Sequence, residues 1–132
     1  MKDHRLRAKE WLLRAKSNLA RARLGKASDD ILYEDICFDA QQSVEKALKS
    51  MCVMHNIRFN KAHDISYLID LLDAAGIILP KKLQRARLLT NYAVETRYLG
   101  DYTPVDRNMY EEALEIAEEV VKWVENNLEN IP

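Results

Sequence analysis

Three glycines and three prolines in 132 residues leave this chain little means of turning. Sandwiches and barrels need a turn residue every few positions, so so sparse a punctuation favours long uninterrupted helices. The apolar positions agree. Ala8, Leu12, Ala15, Leu19 and Ala22 recur at intervals of four and three, with Trp11 beside them, and Gly25 ends that stretch. A second stripe, Cys37, Ala40, Val44, Ala47, Met51 and Met54, follows Ser28, Asp29 and Asp30, which offer N-caps, and runs to about His55.

After a polar loop from Asn56 to Ala62, His63 or Asp64 is expected to cap a shorter helix bearing Ile65, Leu68, Ile69, Leu71 and Leu72, closed by Gly76. A fourth helix is predicted from about Lys81 to Tyr98, carrying Leu83, Ala86, Leu89, Ala93 and Val94. Asp106 is read as the cap of the last, whose band comprises Tyr110, Ala113, Leu114, Ala117, Val120, Val121, Val124 and Leu128. No low-complexity segment or flexible linker divides the chain, and the stripes disclose no internal repeat. The expectation is an all-α fold: residues 1–132 as one domain, an up-and-down antiparallel bundle of about five helices.

Twenty basic and 21 acidic residues nearly cancel, which excludes a generic nucleic-acid coat while leaving room for a local basic cleft. The ends differ in sign: bases dominate from Lys2 to Lys26, and glutamates from Glu111 to Glu129. Two solvated faces that attract each other account for this more simply than a binding patch. Cys37 and Cys52 on one helix would stand about 22 Å apart, too far for a disulfide, and are expected as buried free thiols. No apolar run is long enough to cross a bilayer and no apolar signal core precedes the first helix, so a cytoplasmic protein without membrane attachment is expected.

Conventional signatures of chemistry are missing. His4, His55 and His63 are scattered, no metal-ligand spacing or nucleophile motif occurs, and three isolated glycines cannot cradle a phosphate, so neither metal nor cofactor is expected. Polar residues on the second helix stand out instead: Gln41, Glu45 and Lys49 fall four apart on one face, flanked by Gln42 and Lys46. Composition alone makes this an exposed stripe steadied by a Glu45–Lys49 pair, worth about 0.2–0.5 kcal/mol. His63 and Asp64 at a helix start can favour an anion or simply cap, and Arg97-Tyr98 can grip a phosphate and stack a base or simply complete a helix end.

Taken together, the run from Ala40 through Gln41-Gln42-Ser43-Val44-Glu45-Lys46-Ala47-Leu48 to Lys49, then Ala62-His63-Asp64-Ile65 followed by Leu68, then Thr96-Arg97-Tyr98, resembles a HEPN domain in order and spacing. The resemblance covers most of the chain. It implies an α-helical bundle, commonly a homodimer, often encoded beside a small nucleotidyltransferase as a toxin–antitoxin-like pair. Many members are toxins that cleave RNA without metal, and others bind nucleotide or nucleic acid. Broad apolar coverage of several helices also suggests dimerisation. Ribonuclease members carry a histidine a few residues beyond the arginine corresponding to Arg97, whereas here Tyr102, Thr103 and Pro104 follow and no histidine occurs after His63. Arg58 and His63 meet the bare spacing in the wrong loop.

The expected function is therefore a module that binds nucleotide or RNA, docks a nucleotidyltransferase partner, or both, without efficient catalysis. Arg97 and Tyr98 would contact the ligand, Gln41, Glu45, Lys46 and Lys49 would line one side, and His63 with Asp64 would shape the cleft. Two rivals are a metal-free endoribonuclease using Arg97 with a non-histidine proton acceptor, for which Asp101 or Tyr102 is poorly suited at neutral pH, and a purely structural adaptor.

Overall fold

A computed structural model describes residues 3–61, 64–89 and 105–130. Among the described residues there are four α-helices, α1 (His4–Arg23), α2 (Tyr33–Met54), α3 (Ile65–Ala74) and α4 (Arg107–Glu129), with a 3-10 segment, η1 (Lys81–Leu89), between α3 and α4 in the chain. Among the described residues there is no strand. The fold is an all-α up-and-down bundle.

Local chemistry sets most of the boundaries. Asp3 caps α1 by accepting from the Leu6 N–H at 3.0 Å, and this hydrogen bond holds its carboxyl below the usual range. Asp64 and Asp106 cap α3 and α4, accepting from Ser66 N at 2.9 Å and Met109 N at 2.8 Å. Gly25 follows the end of α1 at φ +59, a conformation that disfavours any side chain. A Cβ there would also meet the Tyr110 hydroxyl at 3.2 Å, and that hydroxyl donates to the Ala22 carbonyl at 2.6 Å, tying the end of α1 to α4.

Two local expectations are corrected. The N-cap of α2 is Leu32, with no side-chain cap, rather than Ser28, Asp29 or Asp30. The Ser28 hydroxyl is spent on the Asp30 N–H and its carbonyl on Ile31, closing a separate turn, while Glu34 and Asp35 stand in the first turn of α2, where the helix dipole favours them. The described part of the fourth helix is 3-10, not α; residues 90–104 lie outside the described residues. Its buried residues Leu83, Ala86 and Leu89 are spaced by threes, which align along one edge at three residues per turn.

α2 is the axis of the molecule. Buried residues occur in every turn from Ile36 to Val53, and α1, α3 and α4 all pack on it. Ala8, Ala15 and Ala22 face it from α1, small enough for the two helices to approach closely. The pairs joining them, Ala8–Ser50 at one end and Asn18–Asp39 towards the other, show that α1 and α2 run antiparallel. Lys16–Glu125 and Arg23–Glu118 show the same for α1 and α4. Cys37 and Cys52 are buried free thiols on α2, as expected. No described helix is long and apolar enough to cross a membrane.

Candidate functional site

The polar stripe of α2 is not exposed. Gln41, Glu45 and Lys49 are 0%, 1% and 5% accessible, so the solvated-face expectation is overturned. Burying charges is costly unless they are paired, and here they are. The Lys49 ammonium donates to Glu45 Oε1 at 2.8 Å and sits 5.4 Å from the Trp11 ring centroid and 5.6 Å from that of Phe59. The two rings meet edge to face, 6.1 Å between centroids. Gln42 donates to Gln41 Oε1 at 2.9 Å and to Glu45 Oε2 at 3.2 Å.

A second chain of hydrogen bonds runs alongside. Lys46 Nζ donates to Asn18 Oδ1 at 2.7 Å, and Asn18 Nδ2 donates to Asp39 Oδ1 at 3.1 Å, with Arg21 Nε 3.5 Å from the other Asp39 oxygen. Burial lowers the pKa of Lys46; Arg14 and Lys49 add to that, while Glu45 and Asp39 oppose it. Like charges thus converge on one spot of the α1–α2 seam.

At that spot lies a half-open groove of about 490 Å³, lined by Glu10, Trp11 and Arg14 from α1 and by Gln42, Glu45, Lys46 and Lys49 from α2. Antiparallel packing brings these residues together: Trp11 and Arg14 are three apart and share a face of α1, as Gln42, Glu45, Lys46 and Lys49 share one of α2. Three cations, two carboxylates and one indole give a pocket with a modest excess of positive charge and a flat surface for stacking. Arg14 is exposed, with its fork of donors available.

Of the residues expected at a site, Glu45, Lys46 and Lys49 line the groove. Gln41 is wholly buried and outside its lining, and its Nε2 has no hydrogen-bond partner. Asp64 serves as the N-cap of α3 and is likewise not part of the lining. His63, Arg97 and Tyr98 lie outside the described residues, as do Asp101, Tyr102, Thr103 and Pro104. Sequence reasoning missed Glu10, Arg14 and Phe59 and mentioned Trp11 only as the neighbour of a stripe. A basic-aromatic pair at a spacing of three was the available signal. No group of three or more His, Cys, Asp or Glu suited to a metal occurs among the described residues.

A family model described as HEPN domain matches residues 8–127. The chain is also similar to the crystal structure of an archaeal HEPN homologue, at 26% identity and a TM-score of 0.74, with 97% of this chain and 99% of that one covered. No curated protein matches it.

Proposed function

Because that family model spans nearly all of it, the chain belongs to the HEPN domain family, and from this premise we propose that it is a binding module for a phosphate-bearing nucleotide or an RNA end, without efficient catalysis. The observation that carries the reading is the groove that Arg14, Lys46 and Lys49 line together with Trp11. Arg14 would take phosphate oxygens bidentately, Lys46 would add a point charge, and Trp11 would stack a base. Lys49, fixed by Glu45 and two rings, supplies positive field from beneath rather than a contact. In the same reading Arg97 and Tyr98 join the ligand, as the family resemblance implies, and His63 with Asp64 shapes the approach.

Catalysis is left out because cleavage of RNA without metal needs a base for the 2′-OH proton, and the sequence beyond Arg97 holds no imidazole. Family membership also motivates a role in a two-component pair with a nucleotidyltransferase; a nucleotidyltransferase motif in the adjacent reading frame is the expected sign of it.

Titration calorimetry with a panel of nucleotides and short RNAs tests the ligand. Binding should quench Trp11 fluorescence in a Trp123→Phe background, and Arg14→Ala or Lys46→Ala should weaken it about tenfold, the loss of one charge-assisted hydrogen bond. RNA incubated without metal should stay intact. Absence of heat with every ligand, using folded protein, overturns the reading.

A further inference from the structure

A short pattern recurs within the single helix α1. Leu6-Arg7-Ala8-Lys9, Leu13-Arg14-Ala15-Lys16 and Ala20-Arg21-Ala22-Arg23 repeat one pattern every seven residues, and Leu12 and Leu19 extend it. Seven residues make nearly two helical turns, so each position of the pattern forms a row along the helix, with a drift of about 20° per repeat. The three alanines are the row buried against α2, and Leu12 and Leu19 flank them on the core side.

The remaining rows face outward. At about 100° per residue, Leu6, Leu13 and Ala20 point away from the core, and Leu24 stands close to their line. Leu6 is 54%, Leu13 71% and Leu24 68% accessible. Arg7, Arg14 and Arg21 border this apolar ridge on one side; Lys9, Lys16 and Arg23 border it on the other. All six are exposed, although Lys16, Arg21 and Arg23 also pair within the chain with Glu125, Asp39 and Glu118, and Glu10 is the only acidic residue in the helix.

We propose that this face is a docking rail for an acidic helix of another protein, one with apolar residues on a seven-residue period and glutamate or aspartate on both flanks. The buried alanine row accounts for one face of the repeat; packing within the chain does not account for the outward leucines kept in the same register. A seven-residue period is the one on which two helices hold contact over several turns, with charges on either side of the seam choosing the partner. The same period is of no use to a lipid surface, which has no register, and an interfacial helix would turn a wide apolar face with aromatic residues outward. Here the ridge is narrow and Trp11 is turned into the groove against α2.

A second copy is a poor occupant. Two α1 helices would set arginine and lysine rows against each other, and the acidic α4 has no large exposed hydrophobic residue to offer the ridge. The partner is therefore a different chain.

The test uses the full chain and a synthetic acidic helix of about 28 residues, four heptads with leucine at the seam and glutamate on both flanks, followed by fluorescence anisotropy. The peptide is expected to bind. The Leu6→Ser/Leu13→Ser variant should bind at least about tenfold more weakly with unchanged circular dichroism, since both side chains lie on the surface. Replacing the peptide's glutamates by glutamine should weaken binding similarly, and Arg7→Glu/Lys9→Glu should shift preference to a lysine-flanked peptide. No binding up to millimolar peptide, or binding indifferent to the leucines or to the glutamates, overturns the proposal. So does leucine-dependent binding to vesicles of phosphatidylcholine and phosphatidylglycerol with none to the peptide, which would assign the face to a membrane. A drop in mass by light scattering in Leu6→Ser/Leu13→Ser would make it a contact between copies and overturns it as well.

Discussion

Lys49 occupies a place where an ammonium ion has almost no water to lean on. Glu45 and two aromatic rings replace that water, so each member of the buried pair depends on the other. Lys49→Met alone should leave Glu45 charged and buried, at a cost of about 3–5 kcal/mol in urea unfolding, a large share of a typical domain's stability. Glu45→Leu/Lys49→Met should cost clearly less than the two single changes added together; strict additivity would mean that the pair is not coupled. The Glu45–Lys49 pair was legible in the sequence; its burial was not. Four-residue spacing told which residues share a face, but polar type was taken as a proxy for exposure, and here tertiary packing decides otherwise. Arg14 was illegible for a related reason: it belongs with Lys46 only after two antiparallel helices bring them together.

The helices themselves were legible wherever a stripe of apolar residues met a capping aspartate, as for α1, α3 and α4. η1 was not, because Leu83, Ala86 and Leu89 fit a helix of either period over so short a run, and a stripe cannot say which closes its hydrogen bonds. The seven-residue pattern of α1 was in plain view, yet a reading for apolar stripes alone passes over rows that alternate leucine, arginine and alanine. Two predictions belong to single elements. Burial pushes the Cys37 and Cys52 thiols of α2 up to about 12 from an ordinary 9.0, with Glu34 and Asp106 adding to the rise at Cys37. The folded-state value is raised, so the contribution is intact below pH 9.0 and lost between there and about 12. Unfolding at alkaline pH should lose stability by up to about 1.4 kcal/mol per pH unit for each thiol, and Cys37→Ala/Cys52→Ala should flatten that slope even though it lowers the baseline. η1 is held to α4 by Arg85, which reaches Glu115 and Glu119 at 3.1 Å each, and by Lys82 on Glu119 at 2.9 Å. Arg85→Ala should speed amide exchange across η1 while costing less than about 1 kcal/mol globally, because such pairs are partly solvated.

At the scale of the whole molecule the sign asymmetry of the sequence has two uses. Lys16 and Arg23 of α1 meet Glu125 and Glu118 of α4 at 2.6 and 3.7 Å, so part of the basic end is matched by the acidic one inside the chain. Arg7, Lys9 and Arg14 have no such partner among the salt bridges of the described residues, and they are among the cations assigned above to the rail and the groove. Dimerisation, which both the family resemblance and the broad apolar coverage of several helices suggest, is expected to show as twice the chain mass in light scattering at micromolar concentration; a clean monomer would refute it. By the argument from like charges, Leu6→Ser/Leu13→Ser should leave that mass unchanged.

The central position of α2 also bears on how the protein comes into being. On the ribosome α2 is complete well before Arg107 is added, and α4, which closes one of its sides, emerges after every other described element. Until then a helix built to be enclosed must wait with one flank uncovered, which makes the nascent chain, rather than the finished bundle, the stage at which chaperones have most to protect.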